Sequence, residues 1–402
     1  MENIHINNCP LEIVCLIFKY LDTKALSSCM LVSKKWKHLA EYTVERLKLW
    51  DNMVKKEMIN KGSSFVNKST LDQRNIFKNF ILWHHVAMSE IKHLNIYKMA
   101  SVKKMKVYKD NLILITDSQV LYYDIKTYKL MKTLERSCLD FEESDQSVVE
   151  LVQEPDSSQK LYVYRKSGTN EYDLDRLKKN SVNEVKAFRL ENELCYVFTT
   201  RNILLRLINK VTRWEMECIG RHYGSDYDPM TTIHICNDAL YMVTKLGYVW
   251  YAETHNFRFV KIHKLHVPNN ISKHNWVMFD TFSCAVPVNS TEQLIKINYD
   301  LKSEVIVLEC ANMSCGLQHG DVLILGFSDG GVEIRMPKKN GAIEENSKLY
   351  FNIQQFLKQE DDHEILSLNV CETVNSHILF IRTRDCVHQL QLSYPETLVN
   401  HI

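Results

Sequence analysis

The sequence predicts a mixed multidomain fold: a small all-α unit at the N-terminus, a helical linker, and an all-β repeat array filling the rest of the chain. Three observations predict it. Residues 10–21 carry apolar side chains at helical spacing, β-rich runs separated by turn residues take over near residue 99, and those runs recur with a period. At 402 residues, 45% apolar and 25% charged, the chain is too apolar to be disordered throughout. It is long enough for two or three domains.

Lys and Arg number 50 against 49 acids, a net charge of +1. That balance excludes bulk attraction to nucleic acid or to an anionic membrane. The longest uncharged apolar run near the start, Ile13–Phe18, is far shorter than the roughly 20 residues of a membrane span. Met1–Asn8 lacks the basic segment and apolar stretch of a signal peptide. The twelve cysteines are scattered, with no C-x-x-C pair, and most sit in apolar runs, where a free thiol packs as a small hydrophobe. These features predict a reducing compartment, cytoplasmic and/or nuclear. Sequons at Asn67, Asn270, Asn289 and Asn312 carry no weight without secretion.

Pro10 opens the run Leu11–Leu21 and suits the first turn of a helix, where its missing N–H would be unpaired anyway. On that helix Leu11, Val14, Phe18 and Leu21 form one stripe, and Ile13, Leu16, Ile17 and Tyr20 form a second. Asp22 and Thr23 break the helix and cap Lys24–Leu31, and Ser33 caps a third helix carrying Trp36, Leu39 and Ala40. Three short helices cannot cover so many large apolar groups by themselves. Two readings are open from pattern alone: a partner surface, or docking onto the rest of the chain.

The run Pro10-Leu11-Glu12-Ile13, Ile17-Phe18, Leu21, Leu31-Val32-Ser33-Lys34-Lys35-Trp36 and Leu49-Trp50 resembles an F-box in order and spacing, with Cys9 where that family usually has Leu. The resemblance implies binding to the small acidic Skp-family adaptor of cullin–RING ubiquitin ligases. It also implies an adaptor-binding set of Pro10, Leu11, Ile13, Ile17, Phe18, Leu21, Leu26, Val32 and Trp36. Residues 1–50 are thus assigned to an F-box and 51–98 to a helical linker, with Asp51–Leu94 read as helix broken near Gly62. Between Asp51 and Lys106 eleven basic residues face four acids, which reads as a solvated helix face or as a patch for an acidic partner. His84 and His85 do not face one point on a helix and are read as structural.

Residues 99–396 carry a repeating hairpin, an apolar strand followed by a polar turn and a second strand. Its first strands begin near residues 112, 161, 194, 240, 283, 322 and 378, about 44 apart on average. That spacing matches four-stranded propeller blades and predicts an all-β propeller of seven blades, with residues 397–402 as a tail. Leu112–Leu134 resembles a WD repeat, with Tyr123-Asp124 in place of Trp-Asp; the other units match that family in period only. The blade containing residue 161 is the least regular, and Asn95–Met99 is a candidate strand for closing the ring with the C-terminal blade.

No catalytic, metal-ligating or cofactor-binding set is predicted. Gly326-Phe327-Ser328-Asp329-Gly330 has a G-x-S-x-G pattern, but Gly331–Arg335 reads as a strand rather than the helix a nucleophile elbow requires. His263 and His266 lack companions at ligand spacing. The acidic stretches Asp140–Asp156 and Glu360–Glu364 read as solvated loops.

An F-box joined to a propeller resembles the substrate receptors of SCF-type ubiquitin ligases. The resemblance implies a non-catalytic subunit that docks on the Skp-family adaptor, reaches the cullin–RING ligase through it, and holds an unknown client protein on the propeller. The alternative is an adaptor-bound scaffold outside the ligase. Arg201, Lys245 and Arg384 fall in hairpin turns and are either client-binding positions for an acidic or phosphorylated segment or scattered exposed charges. No nucleic-acid or membrane partner is expected.

Overall fold

The computed structural model describes residues 9–21, 23–46, 73–99, 101–144, 147–153, 159–165, 171–173, 185–191, 194–199, 203–209, 214–221, 230–236, 239–244, 246, 248–253, 256–264, 277–278, 283–288, 291–297, 303–308, 312–319, 322–337, 343–356 and 363–401. Three helices come first: α1 (Leu11–Tyr20), α2 (Thr23–Val32) and α3 (Lys34–Arg46). The Pro10 carbonyl accepts the Ile13 and Val14 amides at 3.0 and 3.2 Å, so Pro10 caps α1 from just outside. Ser33 caps α3 as its sequence position predicts, with its Oγ accepting the Trp36 amide at 3.2 Å. A fourth helix, α4 (Gln73–His84), leads through a 3-10 turn at Val86–Met88 into the first strand, β1 (Glu90–Lys98).

Among the described residues, seven antiparallel four-stranded sheets make up the rest of the fold. The first holds β2 (Lys104–Tyr108), β3 (Asn111–Ile115), β4 (Gln119–Asp124) and β5 (Leu130–Glu135), in that order. The second holds β6 (Cys138–Glu143), β7 (Ser147–Gln153), β8 (Gln159–Arg165) and β9 (Glu171–Asp173). Then come β10 (Val185–Glu191), β11 (Leu194–Thr199), β12 (Ile203–Asn209) and β13 (Trp214–Arg221). The fourth holds β14 (Met230–Cys236), β15 (Ala239–Thr244), β16 (Tyr248–Glu253) and β17 (Asn256–Lys264). The fifth holds β18 (Val277–Met278), β19 (Ser283–Val288), β20 (Thr291–Ile297) and β21 (Ser303–Leu308). The sixth holds β22 (Met313–His319), β23 (Val322–Phe327), β24 (Gly331–Pro337) and β25 (Ile343–Asn352). The last is ordered β26 (Ser367–Glu372), β27 (Ser376–Arg382), β28 (Cys386–Ser393), then β1. A short helix, α5 (Glu396–His401), ends the chain where a tail was expected.

First strands of successive sheets adjoin one another at five junctions: β2 lies against β26, β6 against β10, β10 against β14, β18 against β22, and β22 against β26. This is a propeller-like arrangement. It closes where the sequence suggests, because β1 pairs antiparallel with β28 from Glu90↔Ser393 to Lys98↔Cys386. The closing strand begins at Glu90, so the linker read as helix to Leu94 ends in strand. Ile91, Tyr97 and their neighbours are claimed by packing against the last sheet rather than by helical propensity.

Two further expectations change. In the second sheet the hairpin read at residue 161 joins the third and fourth strands, whereas elsewhere the repeating hairpin joins the second and third. The missing strand is β7, hidden in the acidic stretch read as loop. Phe141, Val149 and Leu151 alternate with its acids and are buried. The acids find partners: Arg136 meets Glu150 at 2.7 Å, Arg189 meets Glu142 at 2.7 Å, and Lys104 meets Asp140 at 2.6 Å. Lys106 lies at 2.8 Å from Glu142 and 3.4 Å from Asp140, and donates to the Phe141 carbonyl. Burial opposes the Lys106 ammonium, but Glu142 and Asp140 hold its pKa above the ordinary value. Burial likewise opposes the Asp140 carboxylate, yet Lys106 and Lys104 hold it down at about 2.

The G-x-S-x-G segment is a β23–β24 hairpin, with no helix after it. Its outer glycines each have a structural reason. A Cβ on Gly326 would lie 2.7 Å from Ile365 and 2.8 Å from Cys315, and Gly330 has φ +82°. Ser328 sits exposed at the turn.

Helix α4 is bolted to this ring. Trp83 and Val86 share one apolar cluster with Val322, Ile324 and Ile334 of the sixth sheet and Leu379, Leu390 and Leu392 of the last. The Trp83 ring stacks on His377 at 3.7 Å and 2° from parallel. Its Nε1 donates to Glu372 at 2.8 Å, the oxygen His319 also reaches at 2.9 Å, and His377 Nδ1 bonds the Tyr394 hydroxyl at 2.8 Å. One turn earlier, Asn79 donates to the Thr373 carbonyl and Lys78 to Asn375, each at 2.8 Å. Burial first, then the nearby His319, holds the His377 pKa well below its usual value.

The joint has two measurable consequences. Trp83→Ala should cost about 3–5 kcal/mol, as expected for a buried aromatic, read as a lower urea midpoint. An unchanged midpoint would remove Trp83 from the joint. Because folded His377 resists a proton that the unfolded chain accepts, stability should be full above about pH 6.5 and fall as pH drops below it, by at most about 1.4 kcal/mol per pH unit for this group. Melting temperatures of wild type and His377→Phe between pH 7.5 and 5 test this, and the variant should show the shallower slope.

Candidate functional site

Helix α1 carries two apolar faces, and the fold uses only one. Val14 and Phe18 turn inward and join Leu26, Met30, Ala40 and Val44 in a small core, with Leu21, Trp36 and Leu39 packed around it. Phe18 meets Trp36 edge to face at 5.6 Å. The other face stays in solvent: Ile13 is 46% exposed, Leu16 51%, Ile17 39% and Tyr20 78%. Their spacing of three, one and three residues places them along one side of the helix. Leu11, at the start of α1, Val32, at the end of α2, and Pro10 are exposed as well. Lone exposed hydrophobes are ordinary, but a contiguous patch of this kind marks an interaction surface.

The predicted adaptor-binding residues therefore divide. Pro10, Leu11, Ile13, Ile17 and Val32 are exposed, Leu21 and Trp36 are half-buried, and Phe18 and Leu26 are 1% and 0% exposed. While the triplet is folded, Phe18 and Leu26 cannot touch another chain. They hold α1 against α2 and α3. Leu16 and Tyr20 belong on the exposed face instead, and the second stripe in the sequence already marked them. Cys9, in the place of the family's Leu, packs beside this core.

On the ring, Arg201 and Lys245 lie outside the described residues. Arg384 is exposed in the turn between β27 and β28. Asn79 and Lys78 of α4 bind the turn at the opposite end of β27. Seven residues of extended chain separate the two ends, about 20 Å at 3.3 Å per residue. The Arg384 rim is continuous with other predicted turns. Met99 N–H donates to the Asp385 carbonyl, Arg382 to Val102, Leu366 N–H to Arg382, and Ile365 N–H to Phe327 just before Ser328. Lys103 meets Asp117 of the β3–β4 turn at 2.5 Å on the same rim. Helix α4 and the hairpin turns thus occupy opposite rims.

Among the described residues no group of three or more His, Cys, Asp or Glu side chains is arranged to hold a metal. Burial pushes the thiols of Cys138, Cys315 and Cys371 up to about 12, which leaves them poor nucleophiles at neutral pH. No helix among the described residues is long and apolar enough to cross a membrane.

The division of α1 into an inner and an outer face has a direct test. Phe18→Ala should cost about 3–5 kcal/mol of N-terminal stability as a core truncation. Ile17→Ala should stay within about 0.5 kcal/mol, as a surface change does. Equal losses for both would contradict the division.

Comparison with known proteins agrees with the N-terminal reading. The F-box-like family matches residues 6–54. No curated protein matches the chain. Among solved structures, BamB from Moraxella catarrhalis aligns with 75% of this chain and all of its own, at 10% identity and a TM-score of 0.45. The computationally designed Ika8 protein aligns with 75% of this chain and 98% of its own, at 8% identity and a TM-score of 0.41. The chain carries an F-box-like domain at its N-terminus, continued by a β-propeller-like ring.

Proposed function

We propose that this protein is the substrate-recognition subunit of an SCF-type ubiquitin ligase. In this reading the exposed face of α1 docks on a Skp-family adaptor, the adaptor links it to a cullin–RING ligase, and the propeller holds a client protein. The observation that carries it is the uncovered stripe Ile13, Leu16, Ile17 and Tyr20 on a helix whose other face is already packed. Apolar and aromatic side chains of this kind dominate binding energy when a partner desolvates them. Pro10, Leu11 and Val32 flank the stripe. Phe18 and Leu26 support it from beneath.

The seven sheets are the seven blades of one ring in this proposal, and β1 is the strand that locks it. The mechanism is positional. With the adaptor at the α4 side and the hairpin turns on the far rim, the ring holds a client away from the docking face and toward a ubiquitin-charged enzyme. Raising local concentration in this way speeds a reaction without a nucleophile on the receptor. Arg384, exposed on that rim, is a candidate contact for an acidic or phosphorylated client segment. Cytoplasmic or nuclear residence belongs to the same reading.

Co-purification from cells tests both halves. Ile13→Glu with Ile17→Glu should weaken adaptor capture by about a hundredfold or more, since it buries two charges in an apolar interface, while far-UV circular dichroism stays unchanged. Unimpaired capture would overturn the docking face. Cullin should co-purify with wild type; adaptor without cullin would favour a scaffold outside the ligase.

A further inference from the structure

The outermost strand of the first sheet, β5, has one open edge. β4 covers one side of β5, and no described strand pairs with the other. Free edges are normally blunted by charge or covered. β1, outermost in the last sheet, exposes Glu90, Lys92 and Lys98. β25, outermost in the sixth, lies beneath the 3-10 turn at Val86–Met88. β5 presents Leu130, 49% exposed, and Met131, 65% exposed, ahead of the exposed Lys132 and Glu135.

The turn leading into β5 adds to this surface. All seven residues from Lys126 to Lys132 are exposed. They include Tyr128 and three lysines and no acid. Glu135, at the far end of β5, accepts from the Gln119 amide at 2.9 Å, and two acids near the turn are engaged as well. Asp110 pairs with Lys126 at 3.2 Å. Asp124 accepts from the Lys126 and Thr127 amides at 3.1 and 2.7 Å and from the Thr127 hydroxyl at 2.8 Å. Those bonds hold the Asp124 carboxyl below its ordinary range. They also fix Tyr128 at φ 62°, a conformation that costs a non-glycine residue about 1–3 kcal/mol. A strained, rigid turn therefore displays an aromatic ring and lysines ahead of an open apolar edge.

We propose that β5 is a docking edge for an extended segment of a partner protein, one that alternates acidic and apolar residues and adds to the first sheet as a fifth strand. The outer backbone groups of β5 would bind its main chain, Leu130 and Met131 its apolar side chains, and Lys129 and Lys132 its carboxylates. The surface uses neither α1 nor the Arg384 rim, so its failure would leave the proposed receptor role untouched.

The probe is a fluorescein-labelled, end-blocked peptide alternating Glu and Leu over eight residues, titrated into the full-length chain. A second peptide has Lys for Glu, and a third is N-methylated at alternate amides. The acidic peptide should bind in the micromolar range, at least about tenfold tighter than either control. Leu130→Glu with Met131→Glu should remove at least about tenfold of that affinity at an unchanged melting temperature. Hydrogen exchange with saturating peptide should slow at amides 130–135. Equal binding by the double variant, tight binding of the N-methylated peptide, or protection confined to other strands would overturn the proposal. So would concentration-dependent self-association of wild type that the double variant abolishes, because the edge would then serve a second copy of this chain.

Discussion

Everything in the ring depends on one long-range pairing, β1 with β28. Roughly three hundred residues lie between these partners, and closing a loop of that length costs on the order of 5 kcal/mol in chain entropy. The pairing recovers this along a register from Glu90 to Lys98, broken once by a bulge between His93 and Asn95. It is reinforced inside the strands, where the Tyr97 hydroxyl donates to Gln389 at 2.9 Å and Gln389 donates to the Ile125 carbonyl at 3.0 Å. Because β1 comes directly after α4 and its short 3-10 turn, the strand that locks the ring also fixes the helix ahead of it.

That coupling gives the Trp83 joint its meaning. A helix joined to a ring only by a flexible loop would swing. Here an aromatic stack, a Glu372 carboxylate shared by Trp83 and His319, and two bonds to the Thr373–Asn375 turn hold it against two sheets at once. Trp83 Nε1 and His319 converge on one oxygen of Glu372, which makes the joint directional as well as adhesive. It fixes α4 on the rim opposite the hairpin turns.

The inner strands show a second use of charge. Lys104, Lys106, Asp140, Glu142 and Arg189 connect three consecutive sheets. The acids involved look like loop residues in sequence because hydropathy counts each residue alone. In the fold each is matched by a cation from the neighbouring sheet, a pairing no local window contains. The same limit hid the register of the second sheet, where β7 carries Glu150 between Val149 and Leu151 at its centre.

Local and periodic features were legible in the chain alone. The helical triplet, the Ser33 cap, the hairpin turns and the recurring strand pair are all set by spacing, propensity and turn chemistry within a few residues. The F-box resemblance likewise rests on a contiguous segment. The use made of each apolar side chain emerged only on folding. Phe18 and Ile17 are adjacent and both strongly hydrophobic, yet one closes a core and the other faces water. Leu130 and Met131 resemble core residues of any strand, but they lie on an edge with no described strand paired beside it. Burial is a property of what surrounds a residue, and those surroundings come from chain segments tens to hundreds of residues away.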